Sequence, residues 1–458
     1  MDRCLNREIL RLSIPSILAN LTVPLVGFVD TAVAGHLPSP SGAAVFIGAI
    51  SVGSMLFNLL YWNFGFLRTG TGGLTAQAFG RGDMNGCAGI FARGIALALI
   101  ISVVTIALGR PFLKVAMLCV DASDSVAALA GKYFLIRIWA APATLSLMAF
   151  SGWFVGMQDS VSSMWKDLVV NGVNVAASLV LALGVGGWEG MGFAGIARGT
   201  VAAQYSGLLF CTLVCMIKYR RVFASFRLRE LRSLMDGAGL RGFFKMNLNL
   251  FGRSVFFTLI YIGYTVIAAR YGDLMLACSS IMMQLLMVFS YFTDGFAYAG
   301  EALTGRFIGA GDALMMRRAV RYTFAWSMGI AVLFIGVYAV AGMPLLRILT
   351  DDPEVVDACG AFLPWLLVMP PLGCAAFTWD GVYLGATASR GIRNAMFWAA
   401  VGFFAVWFTG RYAFNPQGAA AIHLLLAAYF AHLLARTVYL SVRYGKDIPG
   451  SRPVSHAG

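Results

Sequence analysis

One carboxylate, Asp30, lies in the first long apolar stretch of this 458-residue chain, between Ile9 and Leu37. A charge in such a stretch costs roughly 2.5–3.5 kcal/mol on insertion scales, so acids there usually have a function. The carboxylate could take up a proton, bind a cation or pair with a base. Pro15 and Pro24 precede it, and each permits the helix to bend. We predict that Asp30 couples protonation or cation binding to the shape of this hinged helix; the alternative is a structural carboxylate bound to a neighbouring helix.

A second polar group recurs at helical spacing later in the first half. Its members are Asp167, Asn171, Asn174 and Ser178, at i, i+4, i+7 and i+11. This spacing places all four side chains on one face of a helix. Near the depth of Asp30, the amide and hydroxyl oxygens of Asn174 and Ser178 could accept from a protonated carboxyl or help to bind Na⁺. Hydrogen bonding between helices is the alternative.

The second half of the chain carries acids of its own within apolar stretches. They are Asp294 and Glu301, with Tyr298 on the same helical face, and Asp380, with Tyr383 close behind it. Acids beside aromatic rings suit an organic cation, through charge attraction and the ring faces. We therefore predict that these five residues line a substrate cleft. Glu301 could instead pair with Arg306, and Arg68 and Arg137 are interpreted as structural.

The composition indicates that the elements carrying these residues cross a membrane. Hydrophobic residues make up 59% of the chain and charged residues 12%, and the mean hydropathy is +0.77. A soluble domain has about 25% charged residues, so an ordinary soluble protein is excluded. Twelve stretches are long enough to span a bilayer. They cover about 8–37, 43–68, 86–109, 125–157, 160–186, 190–217, 243–270, 274–305, 314–343, 354–386, 391–413 and 417–443. The predicted fold is all-α, with twelve transmembrane helices.

We interpret the net charge of +13 as a sign of membrane topology, and we predict no nucleic-acid partner. Lysine and arginine concentrate in alternate short loops, which is the pattern of loops on the cytoplasmic side. Both termini are therefore predicted to be cytoplasmic, with the chain integral to the cell membrane, the inner membrane in a bacterium. The eight cysteines include no pair with metal-ligand spacing, so no metal site is predicted.

The chain repeats itself at an offset of 229 residues, half of its length. The matches are Leu74-Thr75 with Leu303-Thr304, Gly80 with Gly309, Gly82-Asp83 with Gly311-Asp312, Pro142 with Pro371, Gly152 with Gly381, Gly156 with Gly385 and Ser160 with Ser389. We predict two pseudo-symmetric six-helix lobes, 1–217 and 242–458, joined by a basic cytoplasmic linker at 218–241. In each matched turn the aspartate should cap the following helix. Parallel repeats of this kind build transporters.

Motifs for enzymatic chemistry are missing from the sequence. It has no Gly-x-Ser-x-Gly nucleophile elbow, no His-Glu-x-x-His and no phosphate-binding Walker A loop. A membrane-embedded enzyme is therefore disfavoured. We expect no cofactor, and the energy for any transport should come from an H⁺ or Na⁺ gradient.

Four stretches of the chain resemble the multidrug and toxic compound extrusion (MATE) transporters, most closely their DinF-like branch. They are Pro15–Asn20 with Val29–Ala32, Phe66–Arg68 with Gly73–Gly80, Asp294–Ala299, and Asp380–Ala386. The resemblance extends over nearly all of the chain. It implies two lobes of six helices, a V-shaped cleft and alternating access driven by H⁺ or Na⁺ antiport. It also implies export of cationic or amphipathic compounds, mainly coupled to H⁺ in DinF-like members.

The resemblance also assigns individual residues. Asp30 corresponds to the acid of the family's first helix, and Pro15 to the proline at which that helix bends. Asn171 and Asn174 correspond to polar residues around the amino-terminal cation site. Many DinF-like relatives have an aspartate where this chain has Ser178. A relay between two carboxylates is therefore not implied here: either Asp30 acts with amide and hydroxyl partners, or the acids of the second half share the coupling.

Taken together, the residues and the resemblance predict a secondary active antiporter. It would be a monomer that exports small organic cations or amphipathic compounds in exchange for H⁺ rather than Na⁺, with membrane lipid around it. The alternative is a flippase-like exporter of a lipid-linked or amphipathic metabolite. Such proteins usually have a cationic cleft, whereas the ionisable residues noted within these spans are mostly acidic.

Overall fold

The computed structural model describes residues 3–37, 43–118, 123–224, 237–350 and 352–451, and its regular elements there are all helices. They are α1 (Arg3–His36), α2 (Ala43–Trp62), α3 (Phe66–Gly80), α4 (Met84–Met117), α5 (Asp124–Arg137), α6 (Ala141–Gly156), α7 (Ser160–Leu183), α8 (Phe193–Lys218), α9 (Arg220–Ala224), α10 (Gly237–Ala269), α11 (Asp273–Gly309), α12 (Ala313–Leu349), α13 (Pro353–Gly360), α14 (Leu363–Gly385), α15 (Ser389–Phe414) and α16 (Ala419–Asp447). A 3₁₀ turn, Ile138–Ala140, joins α5 to α6.

The described helices confirm the predicted all-α membrane fold. Eleven segments are long and apolar enough to cross a membrane, and there are twelve if α13 and α14, bent by 57° at a short break, count as one span. One boundary was wrong. The second span was predicted to end near residue 68, but α3 follows α2 after a short turn and continues to Gly80, so that the two form one apolar segment, Val45–Gly80.

The chain divides into two compact units whose bounds differ from the predicted lobes. The first, called here the N-terminal unit, contains Leu18–Thr75 and Asp83–Arg241. The second, the C-terminal unit, contains Met1–Ile17, Ala76–Gly82 and Gly242–Gly458. The start of α1 and the end of α3 therefore pack with helices of the second half. In the predicted linker at 218–241, residues 225–236 lie outside the described residues.

The repeat is visible in the closest helix packing of each unit. A β-carbon on Gly152 of α6 would lie 2.0 Å from the carbonyl oxygen of Arg68 in α3. At the repeat offset, one on Gly381 of α14 would lie 2.0 Å from the carbonyl oxygen of Ala297 in α11. Glycine lets two helix backbones approach this closely, because any side chain would displace one of them. The matched glycines therefore serve the same packing contact in the two halves.

The matched turns are also alike, and the predicted caps are confirmed. Gly82 and Gly311 have φ angles of +72° and +73°, a conformation that favours glycine. The next residue in each turn, Asp83 or Asp312, accepts a hydrogen bond from the backbone N–H three residues on, at 2.7 Å and 2.9 Å respectively. Each aspartate therefore caps the helix that follows it, α4 or α12.

Within the C-terminal unit, the end of α3 crosses the end of α11 in a reciprocal contact. A β-carbon on Gly80 would lie 2.0 Å from the carbonyl oxygen of Arg306, and one on Gly309 would lie 2.1 Å from that of Gln77. The two contacts are equivalent in the repeat, because Gly80 matches Gly309 and Gln77 matches Arg306 at the offset of 229 residues. The Gln77 amide also donates to the carbonyl oxygen of Gly385 at 3.0 Å, so the crossing is tied to α14 as well.

Candidate functional site

Asp30 lies in the second half of α1 and is 5% exposed. Its Oδ1 accepts a hydrogen bond from Ser178 Oγ of α7 at 3.0 Å. Within the described parts of the chain, this is the carboxylate's one hydrogen bond. An ionised carboxylate can accept about four, so Asp30 keeps capacity for a proton or another donor. The structure thus brings together two residues that the sequence placed at a similar depth.

The two asparagines of the predicted stripe bond to threonines and not to Asp30. Asn171 Nδ2 donates to Thr22 Oγ1 at 2.6 Å, and Asn174 Nδ2 donates to Thr200 Oγ1 at 3.0 Å. These bonds join α7 to α1 and to α8. The fourth member of the stripe, Asp167, pairs with Lys166 Nζ at 2.6 Å. The shared helical face is present, but its members serve different neighbours.

Asn174, one helical turn before Ser178, has an acceptor without a donor in the described part of the chain. The residue is 2% exposed, and its Oδ1 has no hydrogen-bond partner among the described residues. Asn174 precedes Ser178 by one helical turn, so both side chains lie on the face of α7 that meets Asp30. A buried oxygen without a donor is unfavourable by about 1–3 kcal/mol. A protonated group or a cation that reached this oxygen would therefore be stabilised.

Arg137, interpreted from the sequence as structural, interacts electrostatically with Asp30. Its Nη1 donates to the hydroxyl of Tyr133 at 2.9 Å, and its Cζ lies 4.7 Å from the centroid of the Phe57 ring. Aromatic faces stabilise a guanidinium group away from water. The N-terminal unit therefore holds a fixed positive charge near its buried carboxylate, although no direct ion pair joins these two described residues.

The C-terminal unit has no equivalent of this polar group at the repeat offset. Leu259 stands at the position that matches Asp30. Ala400, Phe403 and Trp407 of α15 stand at those that match Asn171, Asn174 and Ser178, and all three are buried in the apolar core of the unit. The glycine-mediated helix contacts are therefore present in both halves, whereas polar residues at the positions of Asp30, Asn171, Asn174 and Ser178 occur in the first half only.

Asp380 of α14 does not stand as the free acid that a cation site requires. It is 5% exposed, and Arg253 of α10 and Arg436 of α16 both form ion pairs with its Oδ2. Arg436 Nε also donates to Oδ1 at 3.0 Å. Two guanidinium groups more than balance the carboxylate, so the predicted attraction of Asp380 for an organic cation is replaced by internal ion pairing.

Tyr383 and Glu301, two of the residues predicted to line a substrate cleft, are fully buried in the structure, and their role in a cleft stays a prediction. Both residues are 0% exposed. The Tyr383 hydroxyl donates to the carbonyl oxygen of Leu440 at 2.6 Å, which ties α14 to α16. Arg306, the alternative partner foreseen for Glu301, pairs instead with Glu8 of α1 at 2.9 Å. These side chains contribute to packing within the C-terminal unit.

Asp294 and Tyr298 remain half-buried on one face of α11. Asp294 interacts electrostatically with Tyr291, one turn earlier in the same helix. Of the five predicted cleft residues, these two keep the partial exposure that contact with a substrate needs. Their role stays a prediction.

The prolines of α1 do not interrupt the helix. Helix α1 runs from Arg3 to His36 through both Pro15 and Pro24. The boundary between the two units falls after Ile17, so Pro15 lies within one helical turn of the point where α1 passes from one unit to the other. The proposed hinge stays a prediction, now attached to a specific place in the fold.

Sequence reasoning missed Arg253 and Arg436, the partners of Asp380. The signal was available, because both arginines fall inside predicted spans, at 243–270 and 417–443. A guanidinium group in a span needs a partner as much as an acid does. Lys166 was likewise assigned to topology alone, but it is 8% exposed and donates to Ser151 Oγ at 2.6 Å.

An ionic contact at the start of α7 also escaped the sequence analysis. Asp159 caps α7 and accepts from Lys218 Nζ at 2.6 Å and from the Tyr219 hydroxyl at 2.7 Å. Burial alone would raise the pKa of Asp159, but the hydrogen bonds from Lys218, Ser162 and Tyr219 hold this pKa below its usual value. The carboxylate therefore stays ionised and fixes the end of α8 to the start of α7.

The arrangement contains no candidate metal centre within the residues described: no three His, Cys, Asp or Glu side chains come together there. A buried carboxylate such as Asp30 has the chemistry to take up and release a proton or a single cation.

A family model, MatE, matches residues 15–180 and 250–409, which together exceed half of the chain. The chain belongs to the MatE family. MATE proteins are secondary transporters that export drugs and toxic compounds, and they are not enzymes. They need no cofactor, because an ion gradient drives them.

Named relatives of this MATE protein include DNA damage-inducible protein F of Escherichia coli strain K12. It is 32% identical over 402 residues, covering 87% of this chain and 84% of the relative. The probable multidrug resistance protein NorM of Photorhabdus laumondii is 24% identical over 360 residues, covering 76% of this chain and 75% of the relative. A solved structure of a multidrug resistance MATE family transporter in an outward-facing conformation superposes with a TM-score of 0.83. It is 16% identical and covers 98% of this chain and 97% of that one, which shows the shared fold.

Proposed function

We propose that this MATE protein is an antiporter that exports cationic or amphipathic organic compounds in exchange for H⁺ by alternating access. It would act as a monomer in the bacterial inner membrane, with both termini cytoplasmic. The observation that carries the proposal is Asp30: a carboxylate in an apolar span, 5% exposed, with one hydrogen bond from Ser178. Such a group is costly to keep in a membrane unless it is used.

The neighbours of Asp30 favour H⁺ over Na⁺. A hard cation needs several oxygen ligands, and within the described residues Asp30 has one hydrogen-bond partner, the Ser178 hydroxyl. Arg137 already supplies a positive charge that interacts with Asp30, and it would repel a second cation. A proton needs only one carboxylate oxygen, and the free Oδ1 of Asn174 could accept the new O–H.

In the proposed cycle, Asp30 gives up its proton as substrate binds from the cytoplasm and regains one from outside after the substrate has left. Ser178 donates to the ionised form, and Arg137 compensates its charge. Protonation neutralises Asp30 and weakens both interactions. This change would allow α1 to alter its contacts, and Pro15 would ease the bend. Asp294 and Tyr298 are the residues we propose for contact with a cationic substrate.

Transport in proteoliposomes tests the coupling, with pH and Na⁺ gradients imposed separately. We expect the pH gradient alone to drive export of a fluorescent organic cation by the wild type. Asp30→Asn should reduce the rate to that of empty vesicles, because an amide cannot exchange a proton. Asp167→Asn is the matched control: this acid lies on the same helix as Ser178 but pairs with Lys166, and its loss should leave export largely intact. Full export by Asp30→Asn, or export driven only by Na⁺, would contradict the proposal.

A second candidate function, export of a lipid-linked or amphipathic metabolite, is favoured by one observation. Arg253 and Arg436 place two cations in the C-terminal unit, where the sequence had suggested mainly acids. A guanidinium pair suits the phosphate of a lipid head group. Movement of a fluorescent polyprenyl-phosphate sugar between vesicle leaflets would test it. If Asp30→Asn abolished export of organic cations while the lipid did not move, this candidate would be rejected.

A further inference from the structure

The ion pairs around Asp380 leave one positive charge uncompensated. Arg253 and Arg436 both contact this carboxylate, and among the described residues neither forms an ion pair with another acid. Arg253 lies in a candidate membrane span, Leu240–Ala269, and Arg436 in another, Ala419–Asp447. An unpaired charge at such a depth is unfavourable, so a ligand that brought a negative charge to it would be stabilised.

The two arginines differ in what they can still offer. The side chain of Arg436 is 2% exposed, and its Cζ lies 5.6 Å from the centroid of the Phe377 ring. The side chain of Arg253 is 23% exposed, and its Nε has no acceptor among the described residues. A guanidinium group has five N–H donors, and the structure gives Arg253 one partner, Asp380. Arg253 is therefore the arginine of the pair whose side chain is partly exposed and that still has an unused donor, its buried Nε.

We infer that Arg253, fixed by Asp380 and Arg436, binds an anionic group of the transported compound, a carboxylate or a phosphate. Planar guanidinium donors match the oxygens of both groups, and the pairing is stronger away from water. Asp380 acts as the positioning residue, since it holds the Arg253 side chain in place. The inference rests on the proposed transport function and names a preferred class among its substrates: amphipathic compounds that carry an anionic group, including zwitterions.

Equilibrium binding to the full chain in phosphatidylcholine nanodiscs tests this site. The probes are one xanthene dye in two forms, a cationic ethyl ester and the zwitterionic free acid. Because only the free acid offers a carboxylate to the Arg253 guanidinium, we expect the wild type to bind the free acid about tenfold more tightly or better. Arg253→Gln should abolish the preference, and Arg253→Lys should keep part of it.

The matched control is Arg393→Gln. Arg393 is a half-buried arginine of the same unit whose Nη1 donates to the Asn249 side chain at 2.8 Å and whose Nε and Nη2 donate to that of Asn394, so its partners among the described residues are amides. Its loss should leave the preference for the free acid unchanged. Thermal unfolding of each variant checks folding; Arg253→Gln should fold, because Asp380 keeps Arg436. Equal binding of the two dyes by the wild type, or an unchanged preference in Arg253→Gln, would overturn the inference.

A lipid head group could supply the same chemistry as a transported anion. Phosphatidylglycerol added to the nanodiscs distinguishes the two sources: if it displaces the free acid from the wild type, the site takes lipid phosphate, and if it does not, the site takes the solute. Either result requires Arg253. Export of the cationic ester by the wild type and by Asp30→Asn tests the proposed antiport separately. Failure of the antiport proposal can therefore be told apart from failure of the anion site at Arg253.

Discussion

At the scale of single residues, the hydroxyl of Ser178 is the group that touches Asp30. A hydroxyl cannot exchange a proton near neutral pH, whereas a carboxylate at this position could. Under the proposed antiport, Asp30 would therefore exchange its proton without a second carboxylate at position 178, helped by a donor that stabilises its ionised form. This arrangement makes the hydroxyl itself testable.

We predict that Ser178→Ala slows H⁺-driven export several-fold without abolishing it. The substitution removes one hydrogen bond to a charged group, worth about 1.5–3 kcal/mol, but leaves the carboxylate. Ser178→Thr keeps the hydroxyl and should retain most of the rate. Initial rates in proteoliposomes measure both, and an alanine variant as fast as the wild type would show that the contact is dispensable.

At the scale of helices, the described fold depends on glycines that let backbones meet. Gly152→Ala should destabilise strongly, because the new β-carbon would lie 2.0 Å from the carbonyl oxygen of Arg68 and must push α3 and α6 apart. Gly381→Ala should be equally harmful at the matched contact of α11 and α14. Gly172→Ala is the control: a β-carbon there meets nothing within 4 Å, so alanine should be neutral or stabilising by up to about 1 kcal/mol. Apparent unfolding temperatures of the three variants and the wild type in detergent test this expected order of stability.

The ends of α7 and α8 give a prediction about pH. Since the pKa of Asp159 is lowered in the folded protein, its contribution to stability is present above the ordinary carboxyl value of about 3.9 and is lost as the pH falls through the folded value. Asp159→Asn should therefore destabilise by about 1–3 kcal/mol at neutral pH. The gap between wild type and variant should narrow as the medium is acidified to near pH 3. Asp312→Asn, which alters a cap without a lysine partner, should not show this narrowing.

The ion pairs that join α10, α14 and α16 give another prediction. Asp380→Asn leaves two guanidinium groups without their anion, the buried one of Arg436 and the partly exposed one of Arg253, and breaking a buried pair in this way typically destabilises by about 3–5 kcal/mol. Adding Arg253→Gln removes one of the stranded charges and should recover part of the loss. Thermal unfolding of the single and double variants measures the coupling. If the loss of stability in the double variant equalled the sum of the losses in Asp380→Asn and Arg253→Gln, the charge argument would be wrong.

At the scale of the whole molecule, the fold was easier to predict than the site. Span number, helical class and the repeat follow from long apolar stretches and recurring glycines, which are local features of the sequence. The partners of Asp30 and Asp380 depend on which faces of distant helices meet, and periodicity does not contain that information. Ser178 was placed at a suitable depth by its spacing on α7, whereas Arg253 and Arg436 are far from Asp380 in the sequence and were not considered as its partners. The unit boundaries within α1 and α3 likewise arise from tertiary packing.

The matched glycines and the unmatched polar face have a consequence for the protein's ancestry. Identical packing contacts at a fixed offset are what a duplicated gene would leave behind, and two equal copies would each have carried the same chemistry. In the second half, however, Leu259 stands at the position that matches Asp30, and apolar residues stand at the positions that match Asn174 and Ser178. After fusion, selection would have preserved the contacts that hold either copy together while releasing one copy from ion exchange. The second copy could then acquire Arg253 and Arg436, and the two halves could take on different functions.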